Sequence, residues 1–220
     1  MLYIVSTPIG NLKDITLRAI ETLKTVDLIA AEDTRHTKIL CNAYDIRTPL
    51  TSYFEHNVFK KGEQIIKILL SGKSVALVSD AGTPGINDPG YKLINLAKEH
   101  KIPITVVPGV TAAIAALSLS GFPSDRFIFE GFLPVKSAQR RKKFDAIKEV
   151  KATHIFYEST HRIIKSLEDI AEVLNDPTVF LAREITKKFE EGLEAKASEL
   201  IKYFSEKSPK GEFVLLIKSE

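Results

Sequence analysis

Three short motifs place carboxylates beside arginine or lysine. Carboxylates can accept protons, and arginine and lysine can bind phosphate. They are AEDTRHT, residues 31–37, YESTHR, residues 157–162, and REITKKFEE, residues 183–191. A carboxylate can accept the proton of a reacting hydroxyl, and a guanidinium fork matches the oxygens of a phosphate. The candidates for a proton acceptor are Glu32, Asp33, Glu158 and Glu184. An equally supported interpretation is that these carboxylates fix their loops by pairing with Arg35, Arg162 and Arg183.

A fourth segment, SDAGTPGINDPG at residues 79–90, is rich in glycine and proline and follows the apolar run SVALV. Its glycines lack Cβ atoms and permit positive φ, so main-chain groups can come close to a bound molecule. Its prolines restrict the backbone and would preorganise that approach. Asp80 can accept hydrogen bonds from a ligand or cap a turn. Taken alone, the segment is explained equally well as a structural Gly–Pro turn.

Several common sites are excluded by their missing motifs. The chain has no GxGxxG of a dinucleotide site after its first strand, no GxxxxGK[ST] phosphate loop and no GxSxG nucleophile elbow. Its five histidines and Cys41 lack the spacing of metal ligands, so we expect no metal site.

The elements that position these segments follow from the apolar pattern. Short β-branched runs alternate with stretches of helical period five times in the first half, which predicts an α/β fold with a mostly parallel five-stranded sheet. In the second half, the alternation of strand and helix starts again, and near its end the apolar runs follow one another with shorter gaps, which predicts a partly antiparallel sheet. We therefore expect an N-terminal α/β domain at residues 1–118 and a C-terminal domain with a mixed sheet at residues 119–220. Asp14 is expected to cap the first helix. Ligands of open α/β sheets lie beyond the carboxyl ends of the strands, where these segments fall.

The order and spacing of five motifs resemble those of the ribosomal RNA small subunit methyltransferase I family. The motifs are STPIGNLKDITLRA, AEDTRHT, SDAGTPGINDPG, YESTHR and REITKKFEEG. The resemblance extends from Val5 to Ile217. GTP with nearby glycine and proline is shared across the tetrapyrrole methylase superfamily, whereas AEDTR, YESxHR and REITK are typical of this branch.

The resemblance implies two α/β domains of tetrapyrrole-methylase type, a homodimer, and S-adenosylmethionine held in the cleft between the domains. It also implies methylation of the ribose 2′-hydroxyl of a cytidine in the decoding region of 16S rRNA. The residues it implies for the cofactor are Pro8, Asp80, Ala81, Gly82, Thr83, Gly85, Ile86, Thr111, Ala112, Tyr157 and Ala182.

Methyl transfer from a sulfonium to an alcohol is an in-line displacement. The protein therefore has to position the two reactants, and the proton of the hydroxyl has to be removed. We expect Glu184 and Glu158 to shape the catalytic site jointly. The cations expected to contact RNA phosphates are Arg35, Arg162, Arg183 and Lys187. Two other functions stay open: methylation of a corrin or porphyrinoid, and binding of S-adenosylmethionine without catalysis.

Composition adds few constraints. A net charge of +3 does not by itself argue for a nucleic-acid partner. The basic cluster Lys136–Lys143 is either a solvated helix face or a contact to the rRNA backbone. Phe127, Phe129 and Phe132 lie at strand spacing and are expected in the core, with stacking on RNA bases as the alternative. A single cysteine and the lack of a long apolar stretch predict a cytoplasmic protein without a membrane anchor.

Overall fold

The computed structural model describes residues 1–219, which form two compact units. The first unit is Met1–Thr111 and the second begins at Ala112. The sequence placed this division after residue 118. The difference arises because helix α5, Ala112–Ser120, contacts the strands of the second unit.

The first unit is a parallel sheet with helices on both faces. Its strands are β1 Leu2–Val5, β2 Leu28–Ala31, β3 Leu50–Ser52, β4 Val75–Val78 and β5 Ile104–Val107, in the order β3-β2-β4-β1-β5. Its α-helices are α1 Leu17–Thr25, α2 Thr34–Ala43, α3 Val58–Leu70 and α4 Gly90–Glu99. Every pairing is parallel, which confirms the predicted sheet.

Burial on both faces explains the near-continuous apolar strands. All four residues of the central strand β4 are buried. One face packs against α3 and α4 through residues such as Ile65 and Leu93, and the other packs against α1 and α2 through Leu23 and Leu40. A strand that is covered on both sides has no polar face to alternate with the apolar one.

Helix α1 begins later than the sequence predicted. The N-cap is Thr16, whose side-chain oxygen accepts a hydrogen bond from the amide of Ala19 at 3.1 Å. Asp14 instead ends a short 3-10 helix, Leu12–Asp14, so the prediction that Asp14 caps the helix was wrong. The 3-10 turn takes up the residues that would have formed the first turn of the helix.

The second unit is a mixed sheet, as predicted. Its strands are β6 Phe127–Phe132, β7 Thr153–Ser159, β8 Thr178–Arg183, β9 Glu191–Lys196 and β10 Glu212–Lys218, in the order β6-β7-β10-β8-β9. Within this sheet, among the described residues, β6 and β7 pair in parallel and the other pairs are antiparallel. The helices are α5, α6 Ser137–Lys148, α7 Ile163–Val173 and α8 Ala197–Glu206. Among residues 1–219, no helix has both the length and the apolar character needed to cross a bilayer.

The aromatic residues of β6 are less buried than the sequence predicted. Phe127 is 41% exposed and Phe132 is 55% exposed, and only Phe129 is half-buried. β6 is an edge strand, and its pairing with β7 shifts register between Phe129 and Gly131. An edge position and a bulge leave alternate side chains without a covering layer.

Three of the five cations in the basic cluster Lys136–Lys143 are paired with carboxylates of the same unit, which neither sequence interpretation anticipated. Arg140 is buried and binds Asp169 of α7 through Nη2 at 2.7 Å and Nε at 2.9 Å. Arg141 binds the other oxygen of Asp169 at 2.8 Å. Lys143 pairs with Glu130 of β6. Burial opposes ionisation of Asp169, but hydrogen bonds from Arg141, Ser137 and Arg140 outweigh it and lower the pKa of the carboxyl.

We predict that Asp169→Asn lowers the free energy of unfolding by about 3–5 kcal/mol at neutral pH, because it leaves the buried Arg140 guanidinium without its counter-charge. The pKa of Asp169 is lowered by folding, so its contribution is present above the unfolded pKa and is lost as the pH falls through the folded one. Urea unfolding at several pH values measures both effects. Glu172→Gln, which removes the exposed partner of Arg141, is the control and should change stability by less than about 1 kcal/mol. Equal effects of the two substitutions would contradict the assignment.

Candidate functional site

An antiparallel bridge joins the loops that follow β1 and β4. The amide of Thr7 donates to the carbonyl of Gly82 at 2.9 Å, and the amide of Gly82 donates back to the carbonyl of Thr7 at 3.1 Å. The hydroxyl of Thr7 also donates to the carbonyl of Ser79 at 3.1 Å. Gly82 has φ +81°, which turns its chain toward Thr7 in a conformation that other residues rarely adopt. Because Thr7 and Ser79 are buried, these bonds fix the two strand ends out of contact with water.

The glycines of segment 79–90 support the segment itself. Asp88 accepts hydrogen bonds from the amide of Gly85 at 2.9 Å and from the amide of Gly90 at 2.7 Å. A Cβ atom at Gly90 would lie 2.7 Å from Oδ1 of Asp88, so a side chain does not fit there. The sequence pointed to main-chain groups that approach a ligand. The amides of Gly82, Gly85 and Gly90 are instead engaged within the protein, because buried amides need partners whether or not a ligand is bound.

The loop after β5 joins the same edge of the sheet. The hydroxyls of Ser6 and Thr83 are hydrogen-bonded at 2.7 Å. A Cβ atom at Gly109 would lie 2.8 Å from the Cβ of Ser6, so the chain passes Ser6 at a distance that only glycine allows. β4, β1 and β5 are neighbours in the sheet, and their loops therefore meet. This edge carries the first unit's predicted cofactor residues, which are Pro8, Asp80, Ala81, Gly82, Thr83, Gly85, Ile86 and Thr111.

Carboxylates surround the end of β4. Oδ1 of Asp80 accepts a hydrogen bond from the amide of Asp33 at 2.9 Å, whereas Oδ2 has no hydrogen-bond donor among residues 1–219. Burial raises the pKa of the adjacent Glu32, the charges of Asp80 and Asp88 raise it further, and the backbone amide of Asp80 opposes them. Glu32 therefore holds a proton more tightly than an exposed glutamate does.

A cavity of about 220 Å³ lies between the loop after β1 and helix α2. Its lining residues are Thr7, Pro8, Gly10, Leu12, His36, Thr37, Ile39, Leu40, Ser79 and Asp80. Ligand pockets commonly measure about 300–1,000 Å³, so this cavity has room for one part of a nucleoside-sized ligand. Sequence reasoning named Pro8 and Asp80 but missed His36, Ile39 and Leu40. The available signal was that Ile39 and Leu40 follow His36 by three and four residues, a spacing that places all three on one helix face.

Arg35 is placed at the surface, at the start of α2. Its side chain is 91% exposed and binds Asp33 through Nη2 at 2.7 Å and Nε at 3.1 Å. Hydrogen bonds from the side chain and then the backbone of Arg35 hold the pKa of the Asp33 carboxyl well below its usual range. Asp33 is also the N-cap of α2, so it is a capping carboxylate rather than a base.

In the second unit, Glu158 is a buried anchor. Its Oε1 accepts from the amide of Ser159 at 2.7 Å and pairs with Nη2 of Arg162 at 2.7 Å, and its Oε2 accepts from the hydroxyl of Ser166 at 2.6 Å. Arg162 in turn donates to the carbonyl of Leu133 at 3.0 Å. These bonds engage both oxygens of Glu158. The contacts hold YESTHR in place and do not prepare Glu158 to accept a proton.

Glu184 is likewise tied into its own unit. Its Oε1 accepts from Nζ of Lys187 at 2.8 Å and from the amide of Glu212 at 3.1 Å. Burial opposes ionisation of Glu184, but these partners outweigh it and the pKa of the carboxyl is lowered. Lys187 also binds the carboxylate of Glu212 at 2.8 Å. A Cβ atom at Gly211 would overlap the Glu184 side chain, a constraint that the sequence did not reveal.

The remaining predicted residues of the second unit lie on β7, β8 and α5. Arg183 pairs with Glu191 at 2.9 Å, and its Nε is buried without a partner among the described residues. The ring of Tyr157 meets Phe129 edge-on at 4.9 Å between centroids. Burial raises the pKa of Tyr157, with the amide of Ala113 opposing. Ala182 is fully buried in β8, and Ala112 begins α5.

Within residues 1–219, the His, Cys, Asp and Glu side chains form no group of three suited to a metal ion.

The predicted site residues fall into two sets, one in each unit. The first unit offers loops joined by backbone and hydroxyl contacts, with Asp80 and Glu32 at their centre. The second unit offers carboxylates and cations that are already paired with one another.

Known proteins resemble this chain along nearly its whole length. The family described as Tetrapyrrole (Corrin/Porphyrin) Methylases matches residues 1–201. The protein named ribosomal RNA small subunit methyltransferase I of Escherichia coli O157:H7 is 52% identical over 98% of this chain and 77% of its own length. The protein of that name in Thermotoga maritima is 47% identical and is covered over 97% of its length.

Solved structures share the fold at low identity. A diphthine synthase has a TM-score of 0.78 at 15% identity, with 99% of this chain and 89% of that one covered. A uroporphyrin-III C-methyl transferase of Thermus thermophilus, complexed with S-adenosyl homocysteine, has a TM-score of 0.67 at 17% identity, with 98% and 96% covered. Both likenesses show the tetrapyrrole methylase fold.

We predict that Gly82→Ala loosens the loops after β1 and β4, because it forces alanine into φ +81° within the bridge to Thr7. The strain should lower the free energy of unfolding by about 1–2 kcal/mol and speed hydrogen exchange at the Thr7 amide. Gly72→Ala is the matched control, since Gly72 has φ +87° and no atom lies within 4 Å of the position that a Cβ would take there. It should lose similar stability without changing exchange at Thr7. Unchanged exchange in Gly82→Ala would contradict the role given to the bridge.

Proposed function

The chain belongs to the ribosomal RNA small subunit methyltransferase I family of tetrapyrrole methylases and is an S-adenosylmethionine-dependent methyltransferase, and we propose that it methylates a cytidine 2′-hydroxyl in the decoding region of 16S rRNA. The observation that carries the proposal is 47–52% identity to relatives of that name over 98% of the chain. We also propose that it acts as a homodimer in the cytoplasm.

The loops of the first unit fit S-adenosylmethionine by their chemistry. Asp80 has a half-buried carboxylate with one oxygen available to a ligand hydroxyl or amino group. A Cβ at Gly82 would occupy the space between Ile9 and the carbonyl of Val110, at 3.6 Å from each. When bound, the cofactor supplies a methyl group on a sulfonium. We assign its binding to Pro8, Asp80, Ala81, Gly82, Thr83, Gly85, Ile86, Thr111, Ala112, Tyr157 and Ala182.

Glu32 is the carboxylate best suited to accept the proton of the ribose hydroxyl. Of the four candidates, it is the one without a cationic partner or saturating hydrogen bonds among residues 1–219. Burial raises its pKa, which makes its ionised form a stronger base. Glu158 and Glu184 then keep the role of shaping the site, because they fix the positions of Arg162 and Lys187.

The assignment of the RNA contacts rests on cations at strand ends. Arg35 is the most exposed of the four, and a phosphate can replace Asp33 as its partner at small cost because the pair is open to water. Arg162, Arg183 and Lys187 are half-buried in ion pairs, so each presents to phosphate only the donors that its carboxylate leaves over. We assign these three cations as weaker contacts to RNA, whose side chains are already held in position by their carboxylate partners.

The decisive experiment supplies labelled S-adenosylmethionine together with unmethylated small ribosomal subunits, naked 16S rRNA or a porphyrinoid, and maps the methyl group by mass spectrometry. We expect a single 2′-O-methylcytidine in the rRNA of one or both RNA substrates. Methyl transfer to the porphyrinoid alone, or binding of the cofactor without any transfer, would overturn the proposal.

Asp80→Asn tests the cofactor assignment, because it keeps an acceptor for the Asp33 amide while it removes the charge and replaces the other oxygen with an NH2 group that only donates. We expect S-adenosylmethionine to bind tenfold or more weakly by calorimetry, since hydrogen bonds to charged groups contribute about 1.5–3 kcal/mol. Asp80→Ala should lose binding further and also destabilise the loop. Wild-type affinity in both variants would show that Asp80 does not contact the cofactor.

Glu32→Gln tests the proton acceptor. We expect the single-turnover rate to fall by about 10²–10⁴-fold with cofactor affinity retained. In the wild type, the base must be ionised, so the rate should fall as the pH drops through the raised pKa of Glu32, and this dependence should vanish in the variant. Asp33→Asn is the control, because asparagine also caps helices and Asp33 ionises far below that range. A rate near that of the wild type in Glu32→Gln would refute the role.

A further inference from the structure

The hairpin loop between β8 and β9 is held in one shape by its own polar groups. The strands end in the pair Arg183 and Glu191, and the loop comprises residues 184–190. The amide of Glu184 donates to the carbonyl of Glu212 at 3.0 Å, and the amide of Lys187 donates to the carbonyl of Glu184 at 2.9 Å. The amide of Thr186 donates to the carboxylate of Glu190 at 2.5 Å. The loop therefore forms hydrogen bonds both within itself and with β10.

Two residues of this loop occupy the left-handed region without being glycine. Glu184 has φ 50° and Thr186 has φ 65°, and the second is unusual because threonine is β-branched. Such conformations persist where the surroundings over-determine them, and they concentrate at binding sites. Here the contacts of Lys187 with Glu184 and Glu212 hold the backbone of the loop in this conformation.

This hydrogen-bonded loop presents an aromatic ring and a cation to solvent. Phe189 is 63% exposed, and Nζ of Lys188 lies 5.5 Å from the centre of its ring. Lys188 has no carboxylate partner among residues 1–219, whereas the carboxylate of Glu190 is turned toward Thr186. The strained backbone thus holds outward the two side chains that the loop does not use for its own support.

We propose that Phe189 and Lys188 form a contact for a single-stranded segment of the RNA substrate, in which an unpaired base stacks on Phe189 and Lys188 meets a neighbouring phosphate. The inference rests on the proposed function and adds a residue pair that binds the substrate. An exposed aromatic ring accepts any base face, whereas the bases of a duplex are already stacked. The residues on either side of the ring, Lys187, Lys188, Glu190 and Glu191, are all charged, which disfavours an apolar protein surface as the occupant.

The test measures binding of a short fluorescein-labelled single-stranded RNA, and of the same RNA in a duplex, by anisotropy. Phe189→Ala should weaken single-strand binding about tenfold or more. Phe189→Trp should restore it, and duplex binding should change little. Lys188→Ala should reduce the dependence of log affinity on log salt by about 0.7, the share of one phosphate.

Phe59→Ala is the matched control, because Phe59 lies on α3 and is 85% exposed. Single-strand affinity in Phe189→Ala equal to that of Phe59→Ala would overturn the inference. So would a loss of dimer in Phe189→Ala at unchanged RNA affinity, since the ring would then bind a second copy. S-adenosylmethionine affinity should stay normal in all of these variants. Failure of the wild type to methylate rRNA would instead overturn the proposed function, and the two failures are read in separate assays.

Discussion

The bridge between Thr7 and Gly82 is the contact on which the rest of the first unit's site depends. A parallel sheet leaves the loops beyond its strands unpaired, and here two of them are joined by a pair of antiparallel hydrogen bonds. That pairing places Asp80 beside the start of α2 and brings Thr83 to Ser6 of the first loop. The Gly–Pro segment is therefore a support held by the protein's own hydrogen bonds, which is what positioning a methyl donor requires.

Most charged residues of the motifs hold loops in place through ion pairs and hydrogen bonds, and they are not free to react. Both oxygens of Glu158 are engaged, Glu184 is held by Lys187, and the basic cluster on α6 is largely paired with α7 and β6. Ionic groups that satisfy each other keep loops in fixed places at the expense of their own reactivity. The groups proposed for function that lie outside these networks are Glu32 and Asp80 in the first unit and the pair Lys188 and Phe189 in the second.

The sequence predicts both sheets, and the first one most directly, because its strands are apolar and alternate with stretches of helical period. It also predicts which loops meet, since the carboxyl ends of parallel strands share an edge. It does not predict pairings between distant elements, such as Arg140 with Asp169 across 29 residues, or the raised pKa of Glu32, which depends on burial and on the charges of the loop after β4. The position of α5 was missed for the same reason, because only packing decides which sheet a uniformly apolar helix covers.

Amide hydrogen exchange at Thr7 and Gly82, with and without S-adenosylmethionine, tests most directly whether the support exists before the cofactor binds. If the bridge is part of the folded protein, both amides are protected in the free protein and gain little further protection on binding. Rapid exchange of both amides in the free protein, with protection only after the cofactor is added, would show that the ligand builds the site and would contradict this account.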